Sequence, residues 1–298
     1  MQKSNMSQNG SRTISRLFLI ALMTVLAACS SLRLAYNNGD TLLYWWLDGY
    51  VDLTSDQKGW VQTEIDKLFS WHRKTQLNDY VHILQTGQKQ LAGNPTIADL
   101  QADYDDIKDR TQKLLLKAAP ELAELARSLQ PDQIANLEKK FASNTEEFRK
   151  KNMKGDREAQ QKFRYKKSME QFELWFGNFS KEQEEQIRKA SDARPLDNEI
   201  WLNERKRRQN AILTLVRKVR QEKLSKEATI PLINTLIKDS FNRLENSEHK
   251  QFFEASEQGG LQLILTVVKI ATPAQKAHAQ KRMQGWIDDF RSLAAEAR

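Results

Sequence analysis

A chain of 298 residues with one cysteine cannot fasten itself with internal disulfides or build a cysteine-ligated metal centre. Its length allows a sizeable core in one elongated or two compact domains. The formal charge of +8 is compatible with nucleic acid or an anionic surface as partner.

The N-terminal stretch narrows that choice. Lys3, Arg12 and Arg16 form a basic, acid-free leader, and Leu17 to Ala28 form an apolar core ending in small residues, the layout of a secretory signal. As a helix that core reaches only ~18 Å, against ~30 Å for the hydrocarbon of a bilayer. Leu26-Ala27-Ala28-Cys29 resembles the bacterial lipobox. The resemblance implies cleavage after Ala28 and acylation of Cys29 with diacylglyceryl and palmitate, so that no free thiol remains. A plain signal peptide with an incidental cysteine is disfavoured, because it must place the only thiol at the cleavage point by chance. Ser30, being other than Asp, implies by the same resemblance sorting to the outer membrane rather than retention as an inner-membrane lipoprotein. Cleavage lowers the charge to +5 (8 − 3). An exported lipoprotein does not meet nucleic acid, which leaves anionic lipid, cell-wall polymer or another envelope protein as partner.

Residues 29–39 read as a lipidated tether and 40–298 as an all-helical body. Asp40 is the expected cap of a helix through Leu42, Leu43, Tyr44, Trp45, Trp46 and Leu47, with Gly49 as its stop. The paired tryptophans suit a membrane interface, but core contacts of the first helix are the favoured reading. Leu53-Thr54-Ser55-Asp56-Gln57 opens the next helix with a capping box. Val61, Ile65, Leu68 and His72 then lie on one face. Ile134, Leu137, Phe141 and Phe148 repeat the period; Tyr165, Met169, Phe172, Phe176 and Phe179 follow a near-heptad spacing; Trp201, Ile212, Leu215 and Val219 continue it. No long segment alternates with period two. The apolar run from Leu261 to Ile270, including Val267 and Val268, reads as a buried helix starting after Gly259-Gly260. The fold is expected to be all-α, an elongated multi-helix bundle.

Four helix starts share a pattern. Thr54 to Gln57, Gln130 to Gln133, Ser180 to Gln183 and Thr272 to Gln275 each place Gln three residues after a polar cap, twice with Pro at the first helical position. Leu53, Leu129, Phe179 and Ala271 precede them. The pattern resembles the Leu-Thr-x-x-Gln signature of small helical periplasmic stress chaperones; convergent capping explains it more simply. The separations of 76, 50 and 92 residues are irregular and give no tandem repeat. Gly93-Asn94-Pro95, Gly155-Asp156 and Arg194-Pro195-Leu196-Asp197 read as short connections, and the chain around 194–196 is the one candidate subdivision point. Pro120 and Pro231 are expected to bend or restart helices.

Trp71-His72-Arg73, with Leu77 and Tyr80 behind it, is the most distinctive cluster. Together with Ala35-Tyr36-Asn37 and Tyr50-Val51-Asp52-Leu53-Thr54 through Gln57, it resembles an uncharacterised family of Gram-negative lipoproteins. The resemblance spans the first third of the mature chain closely. It implies a helical envelope lipoprotein and supplies no reaction. Gln76 departs from the acidic residue expected before Leu77. A half-buried His72 beside a cation suits anion binding or acid–base work; a core histidine hydrogen-bonded to a neighbouring helix is the favoured alternative. His72 and His82 fall on different faces, and no metal or cofactor motif is present.

Arg205 and Arg208 share the face of Trp201 and Ile212, where they could hold a phosphate or carboxylate. Internal pairing, with Glu199, Glu204 or the acidic Asp103 to Asp106 segment, is favoured. No phosphate loop or nucleophile elbow occurs. The expectation is a non-enzymatic, lipid-anchored binding or scaffolding protein facing the periplasm. A holding chaperone for the stressed envelope is the second reading, and an enzyme acting on cell wall or lipid through His72 and Arg73 the third.

Overall fold

The structure is a computed structural model and describes residues 32–242 and 247–296. The leader, Ala28, Cys29 and Ser30 lie outside the described residues. Every regular element among those described is a helix, as the periodicity requires. A short α1 at 32–37 leads into α2 (Gly39–Val51), followed by α3 (Ser55–Thr75), α4 (Leu77–Ala92), α5 (Ile97–Ser128) and α6 (Pro131–Asn152). The second half comprises α7 (Arg157–Phe176), α8 (Lys181–Asp192), α9 (Asn198–Gln221), α10 (Lys226–Asn242), α11 (Lys250–Ile270) and α12 (Pro273–Glu296).

The cores follow the apolar stripes. Val51, Val61, Ile65, Leu125, Ile134, Leu137, Phe141 and Val216 bring α2, α3, α6, the end of α5 and α9 together. Met169, Ile187, Leu263 and Val267 do the same for α7, α8 and α11. Leu77 and Leu91 of α4 rest on Leu293, Ala294, Ala279 and Met283 of α12, joining the start of the body to its C-terminal helix. Ala119, Ala123, Ile233 and Ile237 seal α5 against α10.

Several boundaries differ from the sequence expectation. Asn38, not Asp40, occupies the N-cap of α2, and Asp40 sits in the first turn with Oδ1 accepting from the Thr41 N–H at 2.6 Å. Gly49 does not end α2. The helix continues to Val51 and stops at Asp52, whose φ of 53° leaves the helical region and whose cap is reinforced when Asp48 Oδ1 accepts from the Leu53 N–H. Part of the segment read as tether is helical, since residues 32–37 form α1. Gly259 and Gly260 lie inside α11, which starts nine residues earlier than Gly259, at Lys250. A Cβ on Gly259 would stand 2.9 Å from Arg194 Cγ and 3.6 Å from Arg194 Cα. Glycine there permits the α8–α9 corner to touch α11, which outweighs the helix-propensity cost of about 1 kcal/mol. Pro120 and Pro231 both lie within continuous helices.

The connection at Arg194-Pro195 is tied down from a third element. Arg164 of α7 donates from Nη1 to the Pro195 carbonyl at 2.7 Å and from Nη2 to the Ser191 and Arg194 carbonyls at 2.8 and 3.2 Å. It thereby satisfies carbonyls left over at the end of α8. Burial, with the Arg194 charge adding to it, lowers the Arg164 pKa to about 10, so the guanidinium stays charged at neutral pH.

Candidate functional site

The capping glutamines have a second use that periodicity does not reveal. Each accepts, at Oε1, the N–H of its own cap residue: Thr54 to Gln57, Gln130 to Gln133, Ser180 to Gln183, Thr272 to Gln275, at 2.8–3.0 Å. That half of the capping box is local. The Nε2 groups point across to another helix start. Gln57 and Gln133 exchange amide hydrogen bonds at 3.2 and 2.7 Å, and Gln183 and Gln275 do so at 2.8 and 3.1 Å. Each Nε2 also donates to the carbonyl five residues before its partner glutamine: Gln57 to Ser128, Gln133 to Asp52, Gln183 to Ile270, Gln275 to Asn178. The four starts are therefore two clasps of the same design. One fastens α3 to α6 and the other α8 to α12. All four side chains are buried.

Trp71-His72-Arg73 ends α3, and the structure brings it onto Tyr36 and Asn37 of α1. Tyr36 Oη lies 2.7 Å from His72 Nδ1, and Arg73 Nη2 donates to Asn37 Oδ1 at 2.9 Å. Arg73 also covers the Tyr36 ring at 5.3 Å, while its Nε is buried without a hydrogen-bond partner. The His72 ring packs against Tyr36 (5.9 Å) and Tyr80 (5.5 Å), and Tyr80 against Phe290 of α12 (5.9 Å). Trp71 carries Lys117 of α5 over its face at 5.7 Å. Two motifs separated by 36 residues thus form one joint among α1, α3, α4 and α12. The histidine's partner is a side-chain hydroxyl rather than a backbone group. Gln76 is buried as the residue between α3 and α4 and donates to Thr75 Oγ1 at 2.9 Å.

Burial sets the protonation of this joint. Desolvation lowers the His72 pKa below its ordinary 6.5 and pushes the Tyr36 hydroxyl up to about 12, with Arg73 opposing. Both groups are neutral at pH 7. Above 6.5 the histidine is neutral folded or unfolded. Below it the unfolded chain takes up a proton that the folded joint resists, so stability falls as pH drops from 6.5 toward the depressed value. Urea midpoints measured between about pH 7.5 and about pH 5 should decline, and His72→Phe should flatten part of that decline. An unchanged slope in the variant would mean that His72 does not carry it.

Arg205 and Arg208 are engaged within the body. Arg208 Nε lies 3.4 Å from Glu204 Oε1, and Arg207 donates to the same carboxylate from Nε and Nη2 at 2.8 and 2.7 Å. Arg205 stacks over Phe148 of α6 at 5.3 Å. Trp201 meets Phe252 and Phe253 of α11 edge to face. Glu204 is therefore the carboxylate that the arginine cluster surrounds, and its burial is compensated by charge-assisted hydrogen bonds.

The aromatic segment of α2 departs from the favoured sequence reading. Tyr44 and Leu47 pack on the core, but Trp45 and Trp46 are 64% and 58% exposed. Leu42 and Leu34 are exposed beside them. Helical spacing explains the split, since Leu42, Trp45 and Trp46 fall at i, i+3 and i+4 on the face opposite the buried one. Among the described residues no group of three or more His, Cys, Asp and Glu is placed to hold a metal ion. No helix among them is long and apolar enough to cross a membrane.

A groove of about 680 Å³ runs between the α5–α6 corner and the end of α9, lined by Arg127, Ile134, Arg217, Arg220 and Lys223. Its arginines are largely committed: Arg217 to Glu138, Arg220 to the Leu129 carbonyl, Arg127 to Glu124 and the Leu224 carbonyl. A second groove, about 450 Å³, lies against Phe253 and the Glu204 cluster. Neither is lined by His72.

Residues 49–256 match the model of a family of unknown function, DUF6279. The chain belongs to this family. The family match takes in Trp71-His72-Arg73, the Gln57–Gln133 clasp and Gln183, and ends inside α11, so that Gln275 and all of α12 lie beyond it. Ala35-Tyr36-Asn37 precedes it. No curated protein and no solved structure matches the chain.

Proposed function

We propose that this member of the family is a lipid-anchored lipoprotein of the outer membrane, facing the periplasm, whose helical body binds or scaffolds a partner rather than catalysing a reaction. The observation that carries this reading is the Leu26-Ala27-Ala28-Cys29 tetrad that closes a short apolar core and holds the chain's one cysteine, and the folded body follows it closely. Only Ser30 and Ser31 separate Cys29 from Leu32, the first described residue of α1. At no more than ~3.6 Å per residue, an acyl group on Cys29 holds α1 within roughly 11 Å of the lipid. The non-enzymatic part is supported by the commitments of the candidate groups. His72 is bonded to Tyr36, Arg208 and Arg207 neutralise Glu204, and Arg205 lies on Phe148.

Several acyl chains on one cysteine give lasting attachment, whereas one gives marginal binding, at about 0.8 kcal/mol per buried methylene. Cells labelled with radioactive palmitate should incorporate it into the wild-type chain. The Cys29→Ser chain should take up none, remain unprocessed, and leave the outer-membrane fraction of a sucrose gradient. Label retained by the serine variant would sink the anchor.

A further inference from the structure

We propose that the exposed face of α1 and α2 lies on the lipid surface, so that the protein is held by its acyl chains and by Trp45 and Trp46 with the helix axis along the membrane plane. The inference rests on the anchored reading above and adds an orientation that the anchor alone does not dictate.

The charge pattern of the face is the first support. Charged residues make up 29% of the chain, yet from residue 34 to residue 49 the exposed positions are Leu34, Ala35, Asn37, Asn38, Leu42, Trp45, Trp46 and Gly49, all uncharged; the exposed charge of α1 itself, Arg33, is ion-paired with Glu296 of α12. The two acidic residues of this stretch are turned to structural use, Asp40 toward the Thr41 N–H and Asp48 toward the Leu53 N–H. A face ordinarily exposed to water at this length would carry several charges. Leu34, Leu42, Trp45 and Trp46 form its apolar ridge. The backbone runs on from α1 into α2 through Asn38, whose N–H donates to the Leu34 carbonyl and whose carbonyl accepts from Leu42.

The place of the face along the chain is the second support. It starts five residues after the acylated cysteine, so covalent reach keeps it at the membrane whatever the rest of the body does. Tryptophan is enriched where hydrocarbon meets headgroups, because its ring is apolar and its N–H can still find a polar partner. A helix lying in that layer buries its apolar side ~5–10 Å into the headgroup boundary. The opposite side of α2, carrying Leu43, Leu47 and Val51, is fixed to the core. Seating the ridge therefore fixes the orientation of the whole body.

The test uses the full-length protein purified with its acyl group, checked by mass, and reconstituted in phosphatidylethanolamine–phosphatidylglycerol vesicles containing a phosphatidylcholine brominated near the headgroup. Bromine quenches only tryptophans within contact range. Wild type should be quenched. Trp45→Phe/Trp46→Phe, which leaves the other five of the seven tryptophans and an aromatic stack on Tyr50, should lose that quenching while keeping the same melting curve. Equal quenching in both chains, or none in either alongside a confirmed acyl mass, overturns the proposal. If the mass finds no acyl group, the anchored reading fails separately. The quenching difference, measured with the same vesicles added to that chain, still supports or overturns the lipid-facing ridge.

Discussion

Replacing Gln133 by alanine should destabilise the protein by about 3 kcal/mol, read as a lower urea midpoint with an unchanged slope. The side chain is only 2% exposed and makes four hydrogen bonds. Its Nε2 donates to the Asp52 carbonyl (2.9 Å) and to Gln57 Oε1 (2.7 Å), while its Oε1 accepts from the Gln130 N–H (3.0 Å) and from Gln57 Nε2 (3.2 Å). Truncation removes all four hydrogen bonds, each worth roughly 0.5–1.5 kcal/mol net, and leaves the part-buried Asp52 carbonyl and Gln130 N–H without their side-chain partner. Gln57 suffers less, because it keeps the Thr54 N–H and both acceptors of Ser128. Gln133→Glu should be worse near neutral pH, since it loses the donor that both Asp52 and Gln57 require and buries a charge. A double-mutant cycle with Gln57→Ala should return a coupling of about 1 kcal/mol or more. Additivity within error, or a single-variant loss below about 0.5 kcal/mol, would reduce the clasp to an ordinary helix cap.

That clasp marks the boundary of what the sequence discloses. Helix identity was legible because it is a local property. The 3.6-residue period of Val61, Ile65 and Leu68 and the cap three residues before each glutamine are written in consecutive residues. Pairing is not local. Nothing in residues 54 to 57 says that Gln57 meets Gln133 and not Gln183, because the choice is made by how α3, α5 and α6 pack. The same holds for the joint at His72. The resemblance singled out both Ala35-Tyr36-Asn37 and Trp71-His72-Arg73, yet their contact through Tyr36–His72 and Asn37–Arg73 required the turn of the chain through α2. The tryptophans went the other way. Trp45 and Trp46 read as core on hydrophobicity alone, whereas the register of α2, set by Leu43, Leu47 and Val51, turns them outward. Gly49 does not end α2 for a related reason: a glycine ends a helix only where the next residues cannot continue it, and Tyr50 and Val51 both pack on the core.

A chain lacking residues 273–298 should fail to unfold cooperatively, even though the family match ends at residue 256 and by itself would place the domain boundary upstream of α12. The reason lies at the start of the body. Leu77 is fully buried under Leu293 and Ala294 of α12, and Leu91 nearly so under Ala279 and Met283 of α12 together with Val268 of α11. Exposing these two leucines costs about 1.5–3 kcal/mol each. The same deletion removes Gln275 and strands the Asn178 carbonyl, and it takes Phe290 from the aromatic joint beside Tyr80. Each loss is a fraction of a total stability that for a domain is about 5–15 kcal/mol. Together they are of that size. Far-ultraviolet circular dichroism should show residual helix without a sharp melt, and limited proteolysis should cut α4 first, because that helix loses the partner against which both its leucines are packed. A single sharp transition at the full-length midpoint would show that α12 is an appendage and that residues 32–272 fold without it. If instead α4 is cut early while α6 and α9 stay protected, the cores divide in the order the packing gives: the α4–α12 pair opens on its own, and the Gln57–Gln133 clasp continues to hold α3 to α6.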